Sequence, residues 1–538
     1  MATTINKSAN VIYLLGTSDL GPVNTPVNVT SLNHAKSVFG EKGTLLDAFK
    51  IIRENDTDCE IFLVKVTGTH SELYLNINNP SGEIEYNGIC FRAKYANEIY
   101  DDIEVVINDT SLYINYPTQE LGDYYIEYKY NKVDENGDDI LDENGNKIYK
   151  TVYDLAEEIN EDTRMLNSSV YCYTNCAPSV LANTAFTLVN ESRNKLSGGN
   201  SGLYYNKNML YICLEETYNI LEGREIDIIV PLGCYYDDIF TDDEEALDEY
   251  YDLDREYLTL KDVNEEYVSY YQQLLEYCRK QLRFGCVTQG VMGMNLTNDV
   301  FIDEDKYYLY LKYFKDKNNE IQINNKYKHL VSVCASDIYT TYGTRVYNSY
   351  ILYACLIASI QIDTSTTNKP LAKSFTMFND FSTRVLAKIR DLGYTCFRYS
   401  LLKKACVCAN GITTSDDENL KFLCNVRMCQ LVMKKVNKLL SQYIGENILE
   451  IVNTRNFYKR LVNLLSSLME VNILKGYTIN SITIPEEGHL MIDLSFKTLY
   501  MTESIRTYSG LSVYRGSDIN EQKWNWFSAT KKHGEIFW

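Results

Sequence analysis

Histidine is scarce in this sequence of 538 residues. The five histidines, none of them close to another, are His34, His70, His329, His489 and His533. Because histidine is the commonest metal ligand and general base, this scarcity argues against a metal site and against acid–base catalysis. The neighbouring cysteines at 172 and 176, and at 406 and 408, lack a second ligand pair at zinc-site spacing. We expect no metal and no cofactor.

Signatures of nucleotide binding and of serine hydrolysis are also missing. The segment Gly40-Glu-Lys-Gly43-Thr44 is out of register for a phosphate loop, and Gly198-Gly199 is not followed by Lys-Ser/Thr. No Gly-x-Ser-x-Gly elbow occurs. Residues of a triad can still meet from distant positions, and His329 and His489 are the candidates, but we interpret both as surface residues. The sequence predicts that the chain is not an enzyme.

Long apolar runs and an excess of basic residues are absent as well. The longest uncharged apolar stretch, Val346 to Ile362, contains polar residues and is shorter than the roughly 20 residues that span a bilayer. The N-terminal residues lack the pattern of a targeting peptide. A net charge of −21 disfavours phosphate backbones and anionic membranes. We expect no nucleic-acid partner, no membrane anchor, and reduced cysteines in a cytosol.

The charge is unevenly distributed along the chain. Residues 371–480 carry sixteen Lys and Arg against eight Asp and Glu, a net charge of +8, so the remainder carries −29. Residues 237–256 are dense in Asp and Glu, which is typical of an exposed loop. A basic segment in an acidic chain favours association between copies of the chain as much as binding of another protein.

The periodicity predicts α/β structure at the N-terminus, a β-rich segment, and a second α/β segment that becomes more helical. Ser31 is the expected N-cap of an early helix that Gly40 ends. The predicted strands are residues 11–15, 27–30, 60–66, 103–107, 112–116, 124–130, 226–231, 286–292 and 490–496. The predicted helices are residues 31–39, 45–52, 207–222, 267–284, 378–392, 419–445 and 454–475.

Two acidic Asn-Gly segments in the β-rich part, residues 134–139 and 142–146, resemble calcium loops in composition. A full loop needs Gly at the sixth position and a bidentate Glu at the twelfth. Counted from Asp134, the sixth residue is Asp139. Asn-Gly turns at hairpin tips explain both segments without a metal.

Several segments, taken in order, resemble the contractile tail sheath proteins of bacteriophages. They are Leu14-Leu-Gly16-Thr-Ser-Asp-Leu-Gly21-Pro22 with the helix to Phe39-Gly40, Leu196-Ser-Gly198-Gly199-Asn-Ser-Gly202 followed by Ile226-Asp-Ile-Ile-Val-Pro231, Cys408-Ala-Asn-Gly411-Ile-Thr-Thr followed by Asn425-Val-Arg427-Met, and Phe457 through Leu474-Lys475-Gly476-Tyr477. Their order and spacing across residues 11–513 carry the resemblance, since no single segment is diagnostic.

The resemblance implies a multidomain fold of α/β and α+β class. Its parts would be an N-terminal α/β part of the sheath core (1–70), an all-β, sandwich-like insert (71–155), an α/β domain of subtilisin-like topology (156–369), an α+β C-terminal sheath domain (370–514) and a C-terminal tail (515–538). A topology shared with a protease does not imply proteolysis, because function depends on placed residues.

The resemblance also implies a function in a virion. Sheath proteins assemble with themselves as stacked hexameric rings around a tail tube protein, between baseplate and tail terminator proteins. They contract to drive the tube through the host envelope for genome ejection. The sheath of a phage-tail-like bacteriocin or injection system is an alternative that this chain does not separate, and a hydrolase built on the subtilisin-like domain is another.

In the family, the two chain ends tether neighbouring subunits, and strand addition supplies such tethers through backbone hydrogen bonds. The usual extended lead segment before residue 11 is missing here, so the resemblance does not extend to the N-terminal half of the tether, whereas the tail after Tyr514 is long enough for the C-terminal half. Tryptophan occurs only in the tail, and its aromatic side chains suit docking on a neighbour or on their own subunit equally well. The arm candidates are Trp524, Trp526, Phe527, Phe537 and Trp538.

Overall fold

The computed structural model describes residues 11–55, 59–76, 88–116, 124–134, 138–162, 164, 170–187, 193–240, 267–295, 304–321, 325–340, 346–372, 374–377, 380–443, 456–486 and 489–498. The fold is mixed α/β with several sheets, as the sequence predicts. The chain divides at Met292 and Gly293 into two compact units, called here the N-terminal and the C-terminal unit. This division lies inside the expected 156–369 domain.

The N-terminal unit holds fourteen described strands and six described helices. Its strands are β1 (Val11–Gly16), β2 (Val27–Asn28), β3 (Glu60–Lys65), β4 (Glu72–Asn76), β5 (Gly88–Ala93), β6 (Glu104–Ile107), β7 (Ser111–Tyr116), β8 (Tyr124–Lys129), β9 (Val170–Thr174), β10 (Arg193–Lys195), β11 (Ile228–Pro231), β12 (Ile239–Phe240), β13 (Val268–Ser269) and β14 (Gln289–Gly293). Its helices are α1 (Leu32–Phe39), α2 (Thr44–Glu54), α3 (Val152–Glu161), α4 (Ala182–Thr187), α5 (Lys207–Leu221) and α6 (Tyr270–Arg283).

A largely parallel sheet organises this unit around β1. The strands follow one another in the order β14-β11-β1-β3-β2, with β1 parallel to both β3 and β11 and β2 antiparallel to β3. Residues 12–15 of β1 are buried, because a strand covered on both faces reads as one continuous apolar run. The start and stop signals of α1 are also confirmed: Ser31 Oγ accepts the N–H of His34, and Gly40 follows the helix with φ of 78°.

The β-rich part of the unit has two sheets, β4-β5-β9 and β10-β6-β7-β8, around one apolar core. Helices contribute to this core as well, since Val152, Leu155 and Ile159 of α3 are buried in it. The expected boundary at residue 155 therefore falls inside α3. Val152 and Leu155 of α3 fall within the expected all-β insert 71–155, so the part of the chain expected to contain only strands also contributes to a helix that packs on this core.

The C-terminal unit holds nine described strands and five described helices. Its strands are β15 (Val331–Cys334), β16 (Asp337–Thr340), β17 (Val346–Asn348), β18 (Phe375–Met377), β19 (Tyr394–Thr395), β20 (Phe397–Ser400), β21 (Ala405–Cys408), β22 (Leu474–Glu486) and β23 (His489–Thr498). Its helices are α7 (Glu304–Ile321), α8 (Tyr350–Ser359), α9 (Thr383–Leu392), α10 (Leu423–Leu440) and α11 (Asn456–Glu470).

Helix α8 explains the long apolar stretch of the sequence. Every residue from Tyr350 to Ala358 is buried, so the stretch forms a helix in the protein core. No helix in the described parts of the chain has both the length and the apolar character needed to cross a membrane.

Helices α10 and α11 and the hairpin of β22 and β23 share a second apolar core. The predicted helix 454–475 was too long at its C-terminal end, because α11 ends at Glu470. Asn472 has a left-handed φ of 60°, and the N–H of Ile473 returns to the carbonyl of Leu468, so the chain turns there and continues as β22.

We expect Leu465→Ala in α11 to lower the free energy of unfolding of the C-terminal unit by about 2–5 kcal/mol, because the fully buried side chain would leave a cavity. Tyr458→Ala on the same helix is the matched control, since its side chain is 48% exposed, and its effect should stay within about 0.5 kcal/mol. Urea unfolding measures both variants. Equal losses in the two would contradict the assigned core.

Candidate functional site

The carboxyl ends of β1, β3 and β11 are the first place to look for a ligand site, because open α/β sheets bind ligands in the crevice at that edge. At the end of β1, a Cβ atom on Gly16 would lie 2.5 Å from Oγ1 of Thr44 and 3.1 Å from Cδ1 of Leu232. Thr44 begins α2, and its Oγ1 accepts the N–H of Thr17 at 2.9 Å. Side chains of the protein itself therefore pack against this end of β1.

The Gly-rich loop 197–202 lies beside the carboxyl end of β3. Its amides are taken up by carboxylates of the same chain: the N–H of Gly199 donates to Asp101 Oδ1 at 2.8 Å, and that of Ser201 donates to Glu98 Oε2 at 2.9 Å. In a phosphate-binding loop such amides face the anion. Here the loop is held by internal anions.

A carboxylate of the same chain also binds the backbone amides of the second Gly-rich segment, residues 40–44. The carboxylate of Asp19 accepts the N–H groups of Glu41 and Lys42 at 3.3 and 3.2 Å. A Cβ atom on Gly40 would lie 1.9 Å from Oδ1 of Asp19, so only glycine allows the carboxylate to come this close.

Lys65, the last residue of β3, is fully buried between these loops. Its Nζ donates to the carbonyl oxygen of Ala96 at 2.7 Å. Burial lowers the pKa of Lys65 to about 8, although the nearby carboxylates of Asp19 and Glu98 oppose this effect. The lysine thus places a positive charge near Asp19 and Glu98, two of the three carboxylates that hold the loops.

The histidines proposed for the hydrolase alternative do not form a catalytic group in the described residues. His329 Nδ1 lies 3.1 Å from the carbonyl oxygen of Lys326, and burial lowers the pKa of His329. His489 begins β23 near the tip of its hairpin, and its side chain lies outside the described residues. His70 Nδ1 lies 2.8 Å from the carbonyl oxygen of Ala93.

The two cysteine pairs lie in the protein interior, and the acidic turns are held by their own hydrogen bonds. Cys172, Cys176, Cys406 and Cys408 are buried, and burial raises the pKa of Cys406 to about 12. No three His, Cys, Asp or Glu side chains are placed to hold a metal within the described ranges.

Asp142 uses its carboxylate to cap a turn. Its Oδ1 accepts the N–H groups of Asn144 and Asn146, both at 2.8 Å, and Gly145 adopts a φ of 82°. These hydrogen bonds, led by the one from Asn146, lower the pKa of Asp142. Asp134 Oδ1 similarly accepts the N–H of Asp138 at 2.9 Å.

The hairpin of β22 and β23 is the most extended feature of the C-terminal unit. The antiparallel register runs from Leu474 opposite Thr498 to Glu486 opposite His489, with three shifts of register along the way. The strands are 13 and 10 residues long, whereas strands in globular proteins are usually about 5–6 residues long.

One face of this hairpin is apolar and the other polar. The apolar face rests on the core of α10 and α11 through partly buried side chains, and Tyr477 also lies 3.2 Å from Ser466 of α11, hydroxyl to hydroxyl. The apolar side chains are Tyr477, Ile479, Ile482, Ile492, Leu494 and Phe496. On the opposite face, Asn480 Nδ2 donates to Asp493 Oδ1 and to Ser495 Oγ, at 3.1 and 2.9 Å.

The edges of the hairpin make it the candidate site. Among the described residues, β22 and β23 pair only with each other, so each strand has one edge without a partner strand. Such an edge carries a row of backbone N–H and C=O groups that can template pairing with another chain. Alternation of polar and apolar residues fixes the register of any added strand. The sequence pattern predicts β23 but not β22, and therefore does not predict this site.

Other predicted features lie outside the described residues. These are the arm candidates Trp524, Trp526, Phe527, Phe537 and Trp538, all of residues 1–10 and 499–538, and residues 241–256 of the acidic run.

No protein-family model matches the chain, and no curated protein matches it in sequence. Solved structures do match its fold. A sheath tail protein from Listeria innocua has a TM-score of 0.48 at 10% identity, over 92% of this chain and 96% of that protein. A sheath tail protein from Desulfitobacterium hafniense has a TM-score of 0.44 at 11% identity, over 93% and 99%.

A third match comes from a contractile assembly. The helical sheath of the anti-feeding prophage in its contracted state has a TM-score of 0.45 at 9% identity, over 96% of this chain and 95% of that one. The three structures are all described as sheath proteins.

We expect the buried Lys65 to give a distinctive pH dependence of stability. The folded pKa of about 8 lies below the ordinary 10.5, so between these values the unfolded chain holds more protons at this lysine. The stability of the wild type relative to Lys65→Met should therefore rise with pH above about 8, by at most about 1.4 kcal/mol per pH unit. Urea unfolding at pH 7–10 measures it, and a constant difference would contradict it.

Proposed function

We propose that the chain is the structural subunit of a contractile tail sheath. Copies of it stack as hexameric rings around a tail tube, between baseplate and terminator proteins, and shorten to drive the tube through an envelope. The observation that carries this proposal is the β22–β23 hairpin. Its outer edges have no partner strand among the described residues, and the hairpin begins in a segment that resembles the sheath family. A sheath role places the chain in a phage tail or in a related injection machine.

The hairpin suits subunits that move without separating. A strand added to a sheet edge is held by backbone hydrogen bonds along its whole length, so the connection survives when the bodies of the two subunits shift. The apolar face of the hairpin is anchored on α10 and α11. The added strand would therefore join a neighbour to a packed core.

The tail is the proposed source of the added strand. It follows β23 and residues 499–514 along the chain, and its arm candidates are Trp524, Trp526, Phe527, Phe537 and Trp538. Large aromatic side chains are frequent anchors at protein interfaces.

The sequence-based domain boundaries, including the subtilisin-like topology for 156–369, are part of this proposal.

The closed edge of the parallel sheet supports a role without catalysis. The amides that would bind a phosphate are bonded to Asp19, Glu98 and Asp101. Energy for contraction would then be stored at assembly: the extended lattice is metastable, and the contracted lattice has the more favourable contacts behind a kinetic barrier. The basic segment 371–480 and the acidic remainder provide charge complementarity between copies.

We expect the full chain, expressed alone, to form long, hollow, striated tubes that are visible by negative-stain electron microscopy. A chain that ends at Tyr514 should lose them, because it lacks the tail that adds a strand to the neighbour. A full-length variant with Trp524, Trp526 and Trp538 all replaced by alanine is the control, since it keeps the length of the tail and removes only its anchors.

Each outcome has a clear meaning. Tubes from the full chain alone support both the sheath role and the tail as tether. Tubes of equal length from the truncated chain would refute the tether. Dispersed particles at every concentration and salt, also with a tube protein present, would refute the sheath role.

A further inference from the structure

The loop between β20 and β21 exposes two leucines. Ser400 pairs with Ala405 at the end of this antiparallel hairpin, so residues 401–404 form its tip. Leu401 is 83% and Leu402 85% exposed. A single exposed leucine is ordinary, whereas large apolar side chains that are exposed next to each other indicate an interaction surface. This tip presents two such side chains in succession.

The tip is held in place by its own hydrogen bonds. Ser400 Oγ accepts the N–H of Lys403 at 3.3 Å, and Lys403 Nζ donates to the carbonyl oxygen of Asn368. Lys404 follows in the left-handed region, with φ of 50°. The four tip residues are two leucines, Lys403 and Lys404, so the tip itself is apolar and basic, although the carboxylate of Asp380 accepts the N–H of Tyr399 farther along the hairpin.

Helix α5 presents the opposite kind of surface. Met209, Ile212 and Ile220 are 44–58% exposed, and with Glu216 they recur at intervals of three and four residues, which places them on one stripe of the helix. Glu215 borders this stripe. No basic residue occurs between positions 208 and 223, so the stripe is apolar and acidic. We call it the α5 stripe.

We propose that the tip of residues 401–404 docks on the α5 stripe of a second copy of this chain, with the leucines on the apolar residues and Lys404 facing Glu216. The two surfaces are complementary in apolar character and in charge, because the tip is apolar and basic and the α5 stripe is apolar and acidic. Charge complementarity steers the encounter of two proteins and fixes the register of their contact. This inference rests on the proposed function and names one of its contacts.

The two surfaces differ, so the contact is heterologous. Each copy then offers one tip and one stripe, and repetition of a heterologous contact closes into a ring or continues as a helix. A contact that joined like surfaces would stop at a dimer. A heterologous contact therefore agrees with the stacked-ring assembly that we propose.

Charge reversal tests the contact. Lys404→Glu and Glu216→Lys should each weaken self-association about tenfold, because like charges then face each other. The double variant should recover it. An equimolar mixture of the two single variants should also recover it, because every tip then finds an opposite charge on a copy of the other variant. Sedimentation velocity measures the association below tube-forming concentrations, and electron microscopy reads out tubes.

Apolar variants and a matched control complete the experiment. Leu402→Asp and Ile212→Asp should each abolish the association, whereas Leu309→Asp, at a leucine that is 61% exposed on α7, should leave it unchanged. Circular dichroism and thermal unfolding verify that each variant folds, which is expected because all the altered side chains are exposed.

The outcomes separate this contact from the sheath role. Variants that associate and form tubes as the wild type does would overturn the docking contact and leave the sheath role standing. A wild type that associates in the charge-dependent way, yet forms no tube even with a tube protein, would support the contact and overturn the sheath role. A wild type that stays monomeric at every concentration would overturn the contact. Recovery in the double variant but not in the mixture would overturn it as well, since the charges would then meet within one chain.

Discussion

The unpaired backbone edges of the β22–β23 hairpin are the constraint on which this account depends. A two-stranded sheet is marginal by itself, and stability comes from a third strand or from packing on helices. Here α10 and α11 cover the apolar face and fix the hairpin in place. They leave the N–H and C=O groups of both outer edges without a partner strand in the described part of the chain. A long edge of this kind favours aggregation of a monomer and can connect the subunits of a polymer.

The closed edge of the N-terminal sheet is the counterpart of the open hairpin. Where a doubly wound enzyme leaves a crevice, this chain places Thr44 against Gly16 and bonds its Gly-rich loops to Asp19, Asp101 and Glu98. The charge of the buried Lys65 interacts favourably with two of these carboxylates, Asp19 and Glu98. The polar groups of this edge therefore have partners within the chain, whereas the outer edges of the hairpin have no partner strand among the described residues.

Local patterns in the sequence predict those helices and strands whose formation depends on residues near in the sequence. The apolar run of β1, the Ser31 cap of α1 and the uniformly buried α8 follow from burial and capping alone. The pairing of β9 with β5 does not, because it joins segments about 80 residues apart and no local pattern specifies the partner. β22 was hidden because apolar residues continue from α11 into the strand, and only the left-handed Asn472 marks the change.

The candidate site was less predictable than the fold. A pattern of alternating residues indicates a strand, but whether its edge is paired depends on every other strand in the molecule. Similarly, the sequence analysis does not predict β20 and β21, and the exposure of Leu401 and Leu402 follows from the hairpin geometry of these two strands. The spacing of the Gly-rich loops differs from that of phosphate loops, but it does not indicate the carboxylates that hold them, one of which lies about 100 residues away.

Hydrogen–deuterium exchange of residues 474–498, compared between dispersed subunits and assembled tubes, tests the central claim most directly. We predict that amides of β22 and β23 exchange more slowly in the tubes, because a neighbour's strand covers an edge that water reaches in the single subunit. The amides of β1, already paired on both sides, should exchange slowly in both states. Equal exchange of the hairpin in dispersed and assembled protein would contradict the claim that its edges join the subunits.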